Sequence, residues 1–125
     1  METVVLVMRR RSVAQGLMQM LKEKSDFHIC YEQDYALADT AIRSHGARVA
    51  LIEIAESDSY NSKHCLALCG WLRQETPDCK LILMCPEQDQ DCIRDVIEAK
   101  RDNKIDEFVF YDTSVEYLAT KLTTM

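Results

Sequence analysis

The feature that most narrows the choice of fold is Val49-Ala50-Leu51-Ile52, an unbroken apolar run that meets one carboxylate at Glu53. Ile54 extends it, and after Ala55 the chain turns polar at Glu56-Ser57-Asp58. A run this short, without alternation and bounded by turn residues, reads as a strand covered on both faces, which places it inside a parallel sheet. Residues 3–8 (T-V-V-L-V-M), 81–84 (L-I-L-M) and 108–111 (F-V-F-Y) repeat the pattern. Phe27-His28-Ile29-Cys30 is shorter and alternates weakly, as an edge strand does.

Between these runs the hydrophobic period lengthens to that of a helix. Val13, Leu17, Met20 and Leu21 form a first stripe. Asp34 can cap a second helix with Tyr35, Ala38, Ala41 and Ile42 inward, stopped by Gly46. Leu68, Trp71 and Leu72 give a third, closed before Pro77. Ile93, Val96 and Ile97 mark a fourth. Thr113-x-x-Glu116 has the capping-box pattern ahead of a fifth with Val115, Leu118 and Leu122 inward. Strict alternation with short connections implies right-handed βαβ crossovers and a parallel sheet with helices on both faces. The expected fold is a single α/β domain over residues 1–125, a flavodoxin-like (βα)5 doubly wound sheet. The second and fifth strands are the least apolar, which places them at the edges of a 2-1-3-4-5 order.

The formal charge of -6 disfavours a nucleic-acid surface, which needs a basic face. No apolar run is long enough to span a membrane. The amino terminus enters an apolar strand before its arginines, the reverse of a secretory leader, so a cytoplasmic location is expected. The six cysteines (Cys30, Cys65, Cys69, Cys79, Cys85, Cys92) contain no C-x-x-C pair and lie mostly in apolar runs, as reduced buried thiols do. Cys65 and Cys69, with His64 beside them, make no closed zinc set.

In the expected topology the carboxyl ends of the strands bring together Met8-Arg9, Glu53, Cys85 and Tyr111-Asp112. The segment 8–15 lacks the glycines that let backbone N–H groups approach a phosphate, which argues against a nucleotide or flavin cofactor. Magnesium wants carboxylate oxygens, and only Glu53 offers one where strand one brings Met8 and Arg9. A guanidinium ~4 Å away would oppose each unit of cationic charge by roughly 4 kcal/mol at an effective dielectric near 20. No metal is expected. Two outcomes stand open for Glu53: an ion pair with Arg9 across strands one and three, or a solvent-facing carboxylate beside solvated arginines. Cys85 is either a thiol whose acidity the arginines raise or a small buried filler. Tyr111 is expected to pack or hydrogen-bond at its strand end.

The runs T-V-V-L-V-M, V-A-Q-G-L-M-Q-M-L, V-A-L-I-E-I, C-L-A-L-C-G-W-L-R-Q-E-T-P-D-C-K-L-I-L-M-C and D-E-F-V-F-Y, which together span essentially the whole chain, resemble the receiver domain of bacterial response regulators. The resemblance implies two-component signalling, in which a histidine kinase phosphorylates an aspartate at the end of strand three. Glu53 stands at that phosphoacceptor position. The acidic pair after strand one falls on Met8 and Arg9, the strand-four hydroxyl on Cys85, and the strand-five Lys-Pro on Tyr111-Asp112. Glu56-Ser57 stand where Met-Pro is usual, and the switch aromatic is kept as Phe108. Phosphoryl transfer depends on positioned cations around the moving phosphoryl group, and a nucleophile one methylene longer is displaced from line.

What this implies is a degenerate, pseudo-receiver domain, regulatory rather than enzymatic, that works without aspartyl phosphate. Its partner would be another protein or a second copy, docked on the fourth helix, fifth strand and fifth helix, and its output could be transcription control through a domain beyond Met125. Arg94, Lys100, Arg101 and Lys121 mix there with Asp95, Glu98, Asp102 and Glu116, and opposite signs can meet across a twofold. Other readings are a small-anion or nucleotide sensor using Arg9, Arg10 and Arg11 at the first helix start, or a residual phosphoacceptor on Glu53.

Overall fold

The computed structural model describes residues 2–55 and 60–125. Five parallel strands, β1 (Thr3–Val7), β2 (His28–Glu32), β3 (Val49–Glu53), β4 (Lys80–Cys85) and β5 (Glu107–Phe110), pair in the order β2-β1-β3-β4-β5. Helices α1 (Arg11–Lys24), α2 (Ala38–Ser44), α3 (Ser62–Glu75), α4 (Gln90–Arg101) and α5 (Val115–Thr124) follow the strands in turn. The expected order is observed, with the two least apolar strands at the edges. Among the described residues no helix is long and apolar enough to cross a membrane.

The sheet separates two apolar layers because successive side chains on a strand point to opposite faces. Val5, Val7, Ala50, Ile52, Leu81, Leu83 and Cys85 pack with residues of α2, α3 and α4. Val4, Leu6, Val49, Leu51, Ile82, Met84 and Val109 pack with residues of α1 and α5. Residues Val49 to Ile54 are all at most 1% exposed, so the run identified from sequence is the middle of the sandwich.

Two helix stripes, those of α3 and α4, are rotated about the helix axis from where large apolar residues suggested. In α3 the buried residues are Cys65, Cys69 and Leu72, while Trp71 is 47% exposed and donates its indole N–H to Asp39 Oδ1 at 3.0 Å. In α4 they are Cys92, Val96 and Ala99, while Ile97 faces out. In both, an i, i+4, i+7 row begins at a cysteine, a small hydrophobe that lets the helix approach the sheet closely. Ala14 and Ala119 likewise join the buried rows of α1 and α5, with Met20 and Val115 only half-buried. β2 runs two residues past the expected Cys30, and β5 ends at Phe110, before Tyr111. Asp34 caps a 3-10 turn (Tyr35–Leu37) ahead of α2, and Gly46 (φ +56°) lets the chain leave that helix. The cap of α5 is Ser114, whose Oγ accepts from Tyr117 N–H at 3.1 Å, so the Thr113 capping box does not form.

Glu107 ties the edge strand to both flanking helices. Its Oε1 accepts from Lys100 Nζ at 2.7 Å and from Phe108 N–H at 3.1 Å, and Lys121 Nζ lies 3.2 Å from Oε2. Burial pushes its carboxyl upward, but the bonds from Lys100, Phe108 and Lys121 outweigh that and hold it below the ordinary range. A depressed folded value stabilises the fold above the ordinary glutamate range, and the benefit is lost as pH falls through it. Glu107→Gln should cost about 1 kcal/mol in urea unfolding at neutral pH, and the gap to wild type should close in acid.

Candidate functional site

The alternation of side chains decides what meets at the carboxyl edge of the sheet. Glu53 continues the row of Val49 and Leu51, and its register partner on β4 is Met84. Tyr111, just beyond β5, packs on the same layer. All three therefore face the start of α1. Cys85 and Phe108 belong to the opposite layer, so the sheet divides the residues that sequence grouped at one edge.

Glu53 is 1% exposed, which excludes the solvent-facing outcome. A buried carboxylate is costly unless paired and hydrogen-bonded. Its Oε1 accepts from the backbone N–H groups of Arg9 at 2.8 Å and Arg10 at 3.2 Å. Its Oε2 accepts a short bond from Arg10 Nε, which completes a salt bridge. Arg10 is also the N-cap of α1 and makes no side-chain cap bond, so the carboxylate from β3 lies just ahead of that helix, where negative charge is favoured.

Arg10 is held from two further sides. Its guanidinium carbon lies 3.9 Å from the centre of the Tyr111 ring, and its Nη2 approaches Met84 Sδ at 2.9 Å. A cation over an aromatic face is attracted by the ring quadrupole. Tyr111 in turn donates its hydroxyl to the Ile54 carbonyl. From the other layer Tyr35, 3% exposed, donates to the Glu53 carbonyl and stacks on Tyr60 with ring centres 4.7 Å apart. Burial first, then the Glu53 charge, drives the Tyr35 phenol far above its ordinary range, so it stays a donor.

The expected ion pair therefore exists with a different partner. Arg9 gives its backbone N–H, and the guanidinium that reaches Glu53 is that of Arg10, its neighbour at the helix start. Arg9 follows Met8, which is fully buried in the α1 and α5 layer, and is itself exposed. Tyr111 packs and hydrogen-bonds at its strand end as expected. Cys85 is fully buried, in contact with Cys92 rather than with arginine. Phe108 is half-buried, edge-on to Phe110 at 5.8 Å. Glu56-Ser57 lie outside the described residues.

Arg10, Met84 and Tyr35 were missed. Met84 could have been found by counting its parity with Glu53, and Tyr35 by asking where a buried hydroxyl finds an acceptor. Arg10 had no signal beyond its place one residue before the helix.

The divalent cation that a receiver fold implies does not fit these residues. The Glu53 carboxylate is already matched by a guanidinium, and among the described residues no three His, Cys, Asp or Glu side chains cluster as a metal set. With its side chain 2% exposed, Glu53 also presents no free oxygen to an incoming phosphoryl group.

No protein-family model and no curated protein matches the sequence. Solved structures do match in shape. One is a DNA-binding response regulator of the LuxR family from Staphylococcus aureus, at 19% identity and TM-score 0.76, covering 99% of this chain and 98% of that one. A response regulator from Thermotoga maritima matches at 19% identity and TM-score 0.76 over 98% of this chain and 95% of its own. A CheY-like receiver domain protein from Methanospirillum hungatei matches at 12% identity and TM-score 0.78 over 99% and 92%. The chain has the receiver fold.

Removing Arg10 strands a buried charge, whereas removing both partners does not. Because the Arg10 side chain is 35% exposed, water relieves part of the penalty, and Arg10→Ala should cost about 2–4 kcal/mol in urea unfolding. Arg10→Met combined with Glu53→Leu should recover most of that loss.

Proposed function

We propose that this chain is a regulatory signalling module of the response-regulator kind that works through protein contacts without aspartyl phosphorylation. The observation that carries the reading is the Arg10 guanidinium seated on the Glu53 carboxylate, where phosphoryl transfer would need a divalent cation and an accessible oxygen. In this reading the pair holds the carboxyl edge in one state, and no catalytic residue is assigned. An anion sensor that drew on Arg10 would take it away from Glu53, which leaves a buried charge behind.

The contact surface proposed is α4, β5 and α5, with a second copy of the chain as its occupant. β5 has a neighbour on one side only, and Ile97 on α4 and Tyr117 on α5 are 49% and 53% exposed. The charges nearby are largely matched locally, Arg94 with Asp91 at 3.1 Å and Arg101 with Asp102 at 3.4 Å, so approach of a like surface meets little net repulsion. Transcription control would be exercised through an output partner, and the Staphylococcus aureus protein that this chain resembles in shape is a DNA-binding response regulator.

Incubation with acetyl phosphate and magnesium should leave the intact mass unchanged, and a phosphoryl adduct on Glu53 would overturn the central reading. Sedimentation or light scattering should show concentration-dependent dimers that Ile97→Glu and Tyr117→Glu abolish. A monomer at all concentrations would remove the twofold surface while leaving the Glu53 reading intact.

A further inference from the structure

β4 gives Met84 to the layer of the charged site and Cys85 to the other, where that site makes no use of it. Cys85 ends the strand and is 0% exposed, and Cys92 lies in the first turn of α4 at 2%. Their Sγ atoms are 2.8 Å apart, across a sequence separation of seven. The Cys85 thiol also reaches the Pro86 carbonyl at 3.5 Å, and the thiols of Cys65 and Cys79 meet the carbonyls of Tyr60 and Lys80.

We propose that Cys85 and Cys92 are a redox modification site, closing to an intramolecular disulfide on reaction with a hydroperoxide. A disulfide places its sulfurs ~2.0 Å apart, so closure asks for a shift of under ~1 Å. Both ends of the intervening segment are already fixed. Asp89 caps α4 by accepting from Cys92 N–H at 3.1 Å, and its own N–H donates to the Pro86 carbonyl at 3.3 Å. Residues 86–91, the segment that separates the two thiols, line an open cavity of about 590 Å³ at the surface.

The step balances without a metal. One sulfur attacks a peroxide oxygen, the O–O bond breaks, and the first water (an alcohol, for an organic hydroperoxide) leaves with that thiol's proton. The second sulfur then attacks the sulfenic acid, the S–O bond breaks, and a water leaves with the second proton. Two thiols are oxidised by two electrons, and one peroxide is reduced.

The resting pair is slow to react. Its contact with Cys85, and then burial, push the Cys92 thiol far above its ordinary range, and the thiolate is the nucleophile. Oxidation therefore awaits opening of the β4–α4 segment, and the disulfide, once made, tethers the first turn of α4 to the end of β4. This does not rest on the reading of Glu53.

Wild-type protein treated with hydrogen peroxide, then alkylated and digested, should yield one peptide pair linked through Cys85 and Cys92. Formation should quicken as pH rises. The melting temperature should increase by roughly 5–10 °C, the size expected for closing so short a loop in a chain of this length, and dithiothreitol should reverse it. In Cys92→Ser, Cys85 should stop at a sulfenic acid that dimedone captures. Oxidation confined to half-buried Cys30, links between molecules only, or six alkylated thiols after treatment would each overturn the proposal. The wild-type peptide map decides even where the variant does not fold.

Discussion

A carboxylate removed from water at the end of a central strand has to be matched by positive charge, and the remainder of the site follows from how that is done. Glu53 is matched from within the chain, by the guanidinium and backbone N–H of Arg10 and the N–H of Arg9. That choice fixes the start of α1 against β3 and draws Tyr111 under the guanidinium. In the function proposed above it also fills the place at which an external cation would act. An internal side chain is permanent where a bound ion is exchangeable, which is why the proposed function gives the edge one arrangement unless something displaces Arg10.

The surrounding structure supplies the stiffness this needs. The strand leading to Glu53 is covered on both faces, and hydroxyls of Tyr35 and Tyr111 fasten the carbonyls of Glu53 and Ile54 from opposite layers. A buried ion pair is weak evidence of net stability, because desolvation offsets most of the attraction. Its clearer consequence is specificity, since any packing that separates the two groups is penalised.

The fold was legible because its signals were redundant: Val49 to Ile52 reads as a two-sided strand between stretches of helical period, and residues 27–30 and 108–111, the least apolar strands expected, mark the sheet edges. The helix faces were less so. Trp71 and Ile97 were given inward places by size, while the rows that face the sheet begin at Cys65 and Cys92, where close approach favours a small side chain. At the site, the position of Glu53 was legible but its partner was not. Arg9, Arg10 and Arg11 are chemically alike, and which one turns inward depends on the cap geometry of α1, which sequence spacing does not encode. The separation of Cys85 from Glu53 was legible in principle, because a parity count along β3 and β4 puts them on opposite faces.

The central claim is that a side-chain guanidinium occupies the place of a divalent ion. It is tested most directly by following the Arg10 Nε–H resonance in a proton–nitrogen correlation spectrum while magnesium and beryllofluoride are added. A downfield, slowly exchanging signal that neither reagent moves is the predicted result. A saturable shift toward the position of a free arginine, with matching changes at Glu53, would contradict it.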